Sequence, residues 1–276
     1  MSRESIEGIV RYYRAFGPIF KMGANDSARS DIYGMHIGYQ DNGSGNNESA
    51  SKLMERKIIR EADIQDGQQI LDAGCGMGTL VFEIASLYPN SRVHGIDLLD
   101  EHVSIANRYK TEFQNVSFSR QDYLDLALRD NSFDRIFFSE SLVHAQDKRK
   151  LLSEAYRILK PGGKIIIADV FTLGKLTEDD EVSLSHFNEK TGIPKFGSLD
   201  DIIRQLRNLG FQNILPQNIT GNIASTIAPE VDGTYPVLES NQSTSVAKLE
   251  EILATIGELF SNGSLAYCIL KATAKK

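Results

Sequence analysis

From residue 68 onward, short apolar runs alternate with segments of helical periodicity. The apolar runs predict strands and the periodic segments predict helices. Strands separated by helices are typical of parallel βαβ units, so the pattern predicts a doubly wound α/β sheet. The predicted strands are 68–73, 92–97, 115–120, 133–139, 163–170 and 211–216, and the predicted helices are 79–88, 100–113, 147–159 and 198–209.

The ends of the chain predict further elements. Apolar positions at helical spacing in 4–22, 48–62 and 244–260 predict helices, and the alternation from Leu265 to Thr273 predicts a last strand that can insert antiparallel. Lys160-Pro161-Gly162-Gly163 predicts a helix stop followed by a turn. We therefore expect a helical cap and lid loop in 1–47, a core in 48–276, and cap insertions near 171–197 and 217–246.

Composition and net charge limit the kinds of protein that this chain can be. The chain has 276 residues and a net charge of −7, and its basic residues are scattered. This disfavours nucleic-acid binding, because phosphate neutralisation needs clustered Lys and Arg. No apolar run is long enough for a membrane span, and two cysteines in different contexts suggest neither a disulfide framework nor a zinc site. We expect a soluble cytoplasmic protein.

Residues 70–78, Ile-Leu-Asp-Ala-Gly-Cys-Gly-Met-Gly, carry the most information. They predict a strand that ends in a glycine-rich turn at the N-terminus of a helix, where free N–H groups point outward. A second predicted strand ends at Asp97, whose carboxylate could bind ribose hydroxyls. Together these features predict a site for a cofactor that contains a nucleoside; a tight turn without a ligand is the alternative.

The glycine spacing is G-x-G-x-G, not the G-x-G-x-x-G of dinucleotide sites. Asp72 precedes the first glycine by two residues. A carboxylate there would repel a pyrophosphate but suits the ammonium group of an amino-acid-bearing nucleoside. A nicotinamide-dependent oxidoreductase is therefore disfavoured, as is a non-catalytic relative, because the cofactor motif is intact.

The glycine motif, Gly95-Ile96-Asp97, Gln121-Asp122 and Leu159-Lys160-Pro161-Gly162-Gly163 together resemble class I S-adenosylmethionine-dependent methyltransferases. The resemblance implies a Rossmann-like, seven-stranded, mostly parallel sheet with the last strand antiparallel. It also implies that Gly74 and Gly76 lie against the methionyl part, that Asp97 binds the ribose, that Asp122 accepts from the adenine amino group, and that Leu98 and Tyr123 flank the ring. Taken alone, Asp122 would be read as a helix N-cap. The full set of predicted cofactor residues is Tyr39, Asp72, Gly74, Cys75, Gly76, Asp97, Leu98, Gln121, Asp122, Tyr123 and Ser139.

Glu140 and His144 follow the fourth predicted strand and are the candidate catalytic residues. A carboxylate at the carboxyl end of a strand points into the crevice where open α/β sheets bind ligands. Glu140 and His144 are four positions apart, which would place both side chains on one face of a helical turn. The alternative is structural, with Glu140 bonding local N–H groups and His144 capping the next helix.

Aromatic residues are concentrated before the core and in the predicted insertions. Met35-His36-Ile37-Gly38-Tyr39 and Glu140-Ser141 resemble the branch that methylates carbon in sterols, tocopherols and prenyl diphosphates, and Asn262-Gly263-Ser264-Leu265-Ala266-Tyr267 is similar to geranyl diphosphate C-methyltransferases. The resemblance implies methyl transfer to an alkene carbon of a prenyl diphosphate, with Mg²⁺ if the substrate is a diphosphate. The predicted substrate-pocket residues are Tyr13, Phe16, Tyr33, His36, His186 and Phe187. An O- or N-methyltransferase with His144 or His36 as base is the alternative, and a homodimer through the N-terminal helix is left open.

Overall fold

The structure is a computed structural model that describes residues 7–10, 13, 37–40, 49–223 and 254–276. Residues 7–10 and 13 are helical, as are 254–261. The other helices are α1 (Ala50–Glu61), α2 (Thr79–Leu87), α3 (Asp100–Tyr109), α4 (Lys148–Ile158), α5 (Glu178–Thr191) and α6 (Leu199–Leu209). The strands are β1 (Gln69–Ala73), β2 (Arg92–Asp97), β3 (Val116–Arg120), β4 (Phe133–Ser139), β5 (Leu159–Thr172), β6 (Gly197–Ser198), β7 (Phe211–Asn218) and β8 (Leu265–Ala274).

The strands form one sheet in the order β3-β2-β1-β4-β5-β8-β7, with the short β6 paired to β5. Strands β1 to β5 pair in parallel, whereas β8 lies antiparallel between β5 and β7. The order reverses between β1 and β4, so the carboxyl ends of these strands border a crevice. The predicted Rossmann-like sheet and its antiparallel last strand are confirmed.

Apolar side chains cover both faces of the sheet and separate into two buried clusters. One contains Ile70, Phe137 and Tyr267, and the other contains Leu71, Ile136 and Phe138. Consecutive residues of a strand thus belong to opposite clusters, because side chains alternate across a strand. This explains why the central strands read as continuous apolar runs.

Most element bounds agree with the sequence pattern, and one differs. The predicted turn at residues 160–163 is part of β5, which begins at Leu159 directly after α4. Leu159 pairs with Phe133 and Lys164 with Arg135, so the four residues between them bulge from the ladder. Pro161 has no N–H to donate and Gly162 has φ 75°, which accounts for the bulge.

The segment after β5, within the predicted insertion 171–197, contains the helix α5. Thr177 and Asp180 make a reciprocal capping box at the start of α5, and Gly192 ends it with φ 72°. Asn262 Nδ2 and Ser264 Oγ also donate to the Asp180 carboxylate, at 2.9 and 2.8 Å. These bonds hold the start of α5 beside the turn that precedes β8. Within the described ranges, no helix is long and apolar enough to cross a membrane.

Candidate active site

The glycine loop joins β1 to α2 and lies at the carboxyl edge of the sheet. Gly74, Gly76 and Gly78 have φ of 88°, 52° and 89°, in the left-handed region that favours glycine. The N–H groups of Gly74 and Cys75 donate to the Ile96 carbonyl, at 2.8 and 2.9 Å. The loop is thereby held against the end of β2.

Neighbouring side chains leave no room for substituents on Gly74 and Gly78. A Cβ on Gly74 would lie 2.5 Å from Cβ of Ser141, and a Cβ on Gly78 would lie 2.7 Å from the Phe118 ring. The Ser141 hydroxyl donates to the Ala73 carbonyl at 2.6 Å. The loop and the turn after β4 therefore pack directly against each other, which brings Ser141 to the site.

Asp97 ends β2 and connects the loop with α3. Its Oδ2 accepts from the Gly76 N–H at 2.9 Å, and its Oδ1 accepts from the Leu99 N–H at 2.8 Å. The Nδ1 atom of His102 lies 3.3 Å from the same Oδ1. A carboxylate oriented by two backbone donors is suited to accept hydrogen bonds from vicinal ribose hydroxyls.

The segment after β3 supplies a second carboxylate and an aromatic ring. Asp122 Oδ1 accepts from the Leu124 N–H at 2.9 Å, and the Tyr123 hydroxyl donates to the Ser141 carbonyl at 3.1 Å. Burial raises the pKa of Tyr123, with the charge of Asp122 as the next cause. Tyr123 therefore stays neutral and contributes its ring. The Gln121 side chain bonds Ser119 and the Ala127 N–H, which orients it within its own segment.

These elements enclose a cavity of about 30 Å³. Its lining comprises Ile9, Tyr13, Gly74, Asp97, Leu98, Asp122, Tyr123, Ser141 and His144. All but Ile9 and Ser141 are predicted site residues. The volume holds water but not a nucleoside, so the cavity marks where these residues meet and is not by itself the full volume that a cofactor would occupy.

His144 lies in a 3₁₀ turn, Leu142–His144, after β4. Its Nε2 is 3.5 Å from the Tyr13 hydroxyl, and the two rings lie 5.6 Å apart between centroids. Burial lowers the pKa of His144 to about 4, although the nearby charge of Asp97 raises it. The imidazole is therefore neutral at pH 7 and is able to accept a proton.

Glu140 also follows β4 but belongs to a different set of contacts. It has φ 50°, and its Oε1 accepts from the Ile37 N–H at 2.8 Å and from the Tyr267 hydroxyl at 3.0 Å. Tyr267 is fully buried at the start of β8. Glu140 thus lies at the carboxyl edge of the sheet, but it is not among the residues of the cavity lining.

Asp169 is a buried carboxylate beneath this edge. Its two oxygens accept from the Val143 and Val170 N–H groups at 2.9 and 2.8 Å. Burial raises the pKa of Asp169 to about 7, against the effect of those two bonds, and the charge of Glu140 raises it further. The bond to Val143 fixes the turn that carries His144.

The remaining predicted residues lie elsewhere. Ser139 is buried at the end of β4, and Tyr39 is buried in the core, where its N–H donates to the Ala50 carbonyl. Phe187 stacks on Phe196 at 5.5 Å, whereas His186 is exposed on α5. Asp72 is buried near the end of β1, and Cys75 is buried in the loop. Phe16, Tyr33 and His36 lie outside the described residues.

Comparison with known proteins decides the family. Residues 64–214, more than half of the chain, match the family described as Methyltransferase domain. The protein is a class I S-adenosylmethionine-dependent methyltransferase.

Named relatives of this methyltransferase act on different atoms. It is 34% identical over 185 residues to the O-methyltransferase rstn1 of Aspergillus nomiae, across 65% of this chain and 81% of that one. It is 27% identical over 179 residues to a sterol 24-C-methyltransferase of Saccharomyces cerevisiae, across 61% and 45%. The geranyl diphosphate C-methyltransferase of Streptomyces coelicolor, solved with Mg²⁺, geranyl diphosphate and S-adenosyl-L-homocysteine, shares the fold with a TM-score of 0.74 at 17% identity, covering 94% and 98%.

The site of the methyltransferase fits S-adenosylmethionine in the chemistry of its side chains. Gly74 and Gly76 contribute backbone without side chains of their own, Asp97 and Asp122 offer acceptors to hydroxyl and amino groups, and Leu98 and Tyr123 offer apolar surface to a base. These residues would hold the cofactor.

Several residues at the site are not predicted, because the sequence around them does not indicate a functional role. Ile9, His102 and Tyr267 occupy positions that read as ordinary helix and strand residues. Asp169 is the exception, because an acid inside the apolar run 163–172 is a signal of a buried functional or structural carboxylate. Ser141 is detectable only once Gly74 is known to face it.

Proposed function

We propose that this methyltransferase transfers a methyl group to a hydroxyl oxygen of a small, largely apolar metabolite. The observation that carries the proposal is the pair formed by Tyr13 and His144 in the wall of the cofactor cavity, with the hydroxyl 3.5 Å from Nε2. A hydroxyl acceptor must lose its proton as its oxygen is methylated, and this pair is a route for that proton.

The electrostatics of His144 support this role. Its low pKa keeps the imidazole neutral, and therefore able to accept, throughout the physiological range, although it also makes it a weaker base than an ordinary histidine. When bound, S-adenosylmethionine supplies a methyl group activated by a positively charged sulfonium. With that positive charge removed from the site, placing a proton on the His144 imidazole would cost less.

The atoms and charges of the step balance. A carbon–oxygen bond forms to the acceptor as the carbon–sulfur bond breaks, and the pair on sulfur remains with S-adenosylhomocysteine. The hydroxyl proton passes to Nε2 of His144, directly or through the Tyr13 hydroxyl. The positive charge is thus relocated within the site, and the proton later leaves to solvent. Asp97, near His144, steadies the imidazolium.

The charge of the cavity wall bears on the choice of acceptor. Among the described residues of its lining, none is Lys or Arg, and two are the carboxylates Asp97 and Asp122. A diphosphate would need cationic or metal contacts to offset its charge. The relatives named O-methyltransferases also include one from Penicillium expansum at 32% identity. The names of these relatives favour a hydroxyl acceptor, and the described lining, whose two carboxylates are assigned to the cofactor, supplies no cation for a diphosphate.

A second candidate is methylation of an alkene carbon, as in a prenyl diphosphate, with Mg²⁺ bound to the diphosphate. The contact of Glu140 with Tyr267 at the strand edge favours it, because a carboxylate and an aromatic ring can stabilise a carbocation and remove its proton. The shared fold with the geranyl diphosphate enzyme also supports it. In that case Glu140, not His144, would be the base.

One experiment separates the two candidates. S-adenosylmethionine with a labelled methyl group is incubated with a panel of phenols and enols and with prenyl diphosphates, the latter with Mg²⁺ and with chelator. Label in a methyl ether, located by NMR, supports the first candidate. Metal-dependent label on carbon overturns it in favour of the second.

Substitutions test the role of His144 directly. We expect H144Q to lower kcat at least about a hundredfold, as loss of a general base does, while S-adenosylhomocysteine binding is retained. His94→Gln is the matched control. The His94 imidazole bonds Ser117 and Ser119 of β3 and does not line the cavity, so this substitution should leave kcat unchanged. Full turnover by H144Q would exclude this histidine as the base.

A further inference from the structure

We propose that Glu140 is a positioning residue, which with Tyr267 holds the segment 37–40 across the carboxyl edge of the sheet through hydrogen-bond acceptance by Oε1. The segment contains Tyr39, a predicted cofactor residue. The inference goes beyond the proposed function. Amide exchange and cofactor affinity are measured without a methyl acceptor, so its failure and the failure of the O-methylation proposal are distinguishable.

The backbone of Glu140 directs its side chain toward that segment. Its N–H donates to the Ala168 carbonyl at 2.8 Å, which continues the β4–β5 ladder by one residue. Its φ is then 50°, a conformation that a residue with a side chain adopts only where its surroundings impose it. The turn ends β4 abruptly and leaves the carboxylate above the strand ends.

Two donors converge on the same oxygen of Glu140. The Ile37 N–H lies 2.8 Å from Oε1 and the Tyr267 hydroxyl lies 3.0 Å from it. Tyr267 is a rigid partner, because it is fully buried and its backbone is bonded on both sides, from N–H to Thr220 Oγ1 and from the Ile219 N–H to its carbonyl. Charge-assisted bonds to a carboxylate are stronger than bonds between neutral groups.

Other contacts of the segment lie farther along it. The Tyr39 N–H donates to the Ala50 carbonyl at 2.9 Å, and the Gln40 N–H donates to the Asn222 carbonyl at 2.8 Å. Asn222 Nδ2 returns a bond to the Gln40 carbonyl at 3.0 Å. The bond from Ile37 to Glu140 therefore attaches the start of the segment to the site.

This role depends on an acceptor oxygen and not on proton transfer. Glutamine keeps an acceptor oxygen at the same place, whereas alanine removes it. Tyr267→Phe removes one donor and leaves the Ile37 bond. Tyr156→Phe is the matched control, because its hydroxyl donates to the Lys275 carbonyl at 2.6 Å, away from the site.

The test measures hydrogen exchange of the Ile37 amide by NMR and the Kd of S-adenosylhomocysteine by calorimetry, on the full chain. For E140A we expect protection of the amide to fall about tenfold or more, and Kd to rise about tenfold, since a lost hydrogen bond of this kind is worth about a factor of ten. E140Q should restore most of both, Y267F should be intermediate, and Y156F should match the wild type.

Three results would overturn the proposal. The first is unchanged protection of Ile37 in E140A. The second is an E140Q variant as deficient as E140A in both measurements, because the charge and not the acceptor would then matter. The third is an E140Q variant that protects Ile37 yet transfers no methyl to the acceptor found in the panel, which would make Glu140 a catalytic base.

Discussion

Asp169 and His144 shift the stability of the folded state in opposite directions as pH changes. Burial raises the pKa of Asp169 from 3.8 to about 7, opposed by the Val170 and Val143 N–H bonds. Burial lowers the pKa of His144 from 6.5 to about 4. The folded state therefore favours the neutral form of both groups. Replacing each by its neutral amide analogue separates their contributions.

The direction of each pH effect on stability follows from proton binding in the folded and unfolded states. Between its two pKa values Asp169 binds a proton in the folded state but not in the unfolded one, so its contribution to stability is present at low pH and lost as pH rises toward 7. His144 binds a proton first in the unfolded state, so its contribution is lost as pH falls from 6.5 toward 4.

The magnitudes follow from about 1.4 kcal/mol per pKa unit. When the pH rises from about 5 to about 8, ionisation of Asp169 should lower the free energy of unfolding of the wild type by about 3 kcal/mol. When the pH falls from about 8 to about 5, His144 should lower it by about 2 kcal/mol. The two contributions largely cancel in the wild type. Relative to the wild type, the variants D169N and H144Q should therefore show opposite changes of unfolding free energy with pH.

The assay is urea unfolding of the wild type, D169N and H144Q at both pH values. Relative to the wild type, D169N should gain about 3 kcal/mol of unfolding free energy on going to the higher pH, and H144Q should lose about 2 kcal/mol. Asparagine leaves one of the two N–H groups without an oxygen, which adds a constant cost of about 1–3 kcal/mol. That cost does not change the slope. A flat difference for D169N would refute the reasoning, because Asp169 would then be ionised in the folded state at both pH values.

Three further outcomes are expected. The kcat/KM for methyl transfer should stay constant from about pH 8 down to about pH 5 and fall below it as His144 protonates; a fall centred near 6.5 would mean that its pKa is not lowered. Gly74→Ala should abolish S-adenosylhomocysteine binding in calorimetry and lower Tm, because its Cβ would lie 2.5 Å from that of Ser141 at φ 88°; binding at wild-type affinity would contradict the packing. Thr177→Ala should cost about 1 kcal/mol in urea unfolding by removing the α5 cap, with cofactor affinity unchanged, and a shift in that affinity would show that α5 acts on the site.

The fold class and the cofactor follow from local patterns of residues along the chain. Alternating strands and helices predict a parallel sheet, and the spacing of Gly74, Gly76 and Gly78 before a helix, with Asp97 ending the next strand, predicts a site at the carboxyl edge of that sheet. These features are local, because each depends on residues close together in the chain. The resemblance to class I methyltransferases, and not these patterns alone, assigns Leu98, Asp122 and Tyr123 to the cofactor, and all three line one cavity with Asp97.

Which distant residues meet at that edge depends instead on tertiary packing. Tyr267 reaches Glu140 because β8 runs antiparallel and therefore begins where β4 and β5 end. Tyr13 reaches His144 across 131 positions of the chain. Pairing across such separations depends on strand order and on the packing of the terminal helix, which no local pattern encodes. The roles of Glu140 and His144 differ for the same reason: the two residues are four positions apart, but the sharp turn at Glu140 directs one toward the segment 37–40 and leaves the other in the cavity wall.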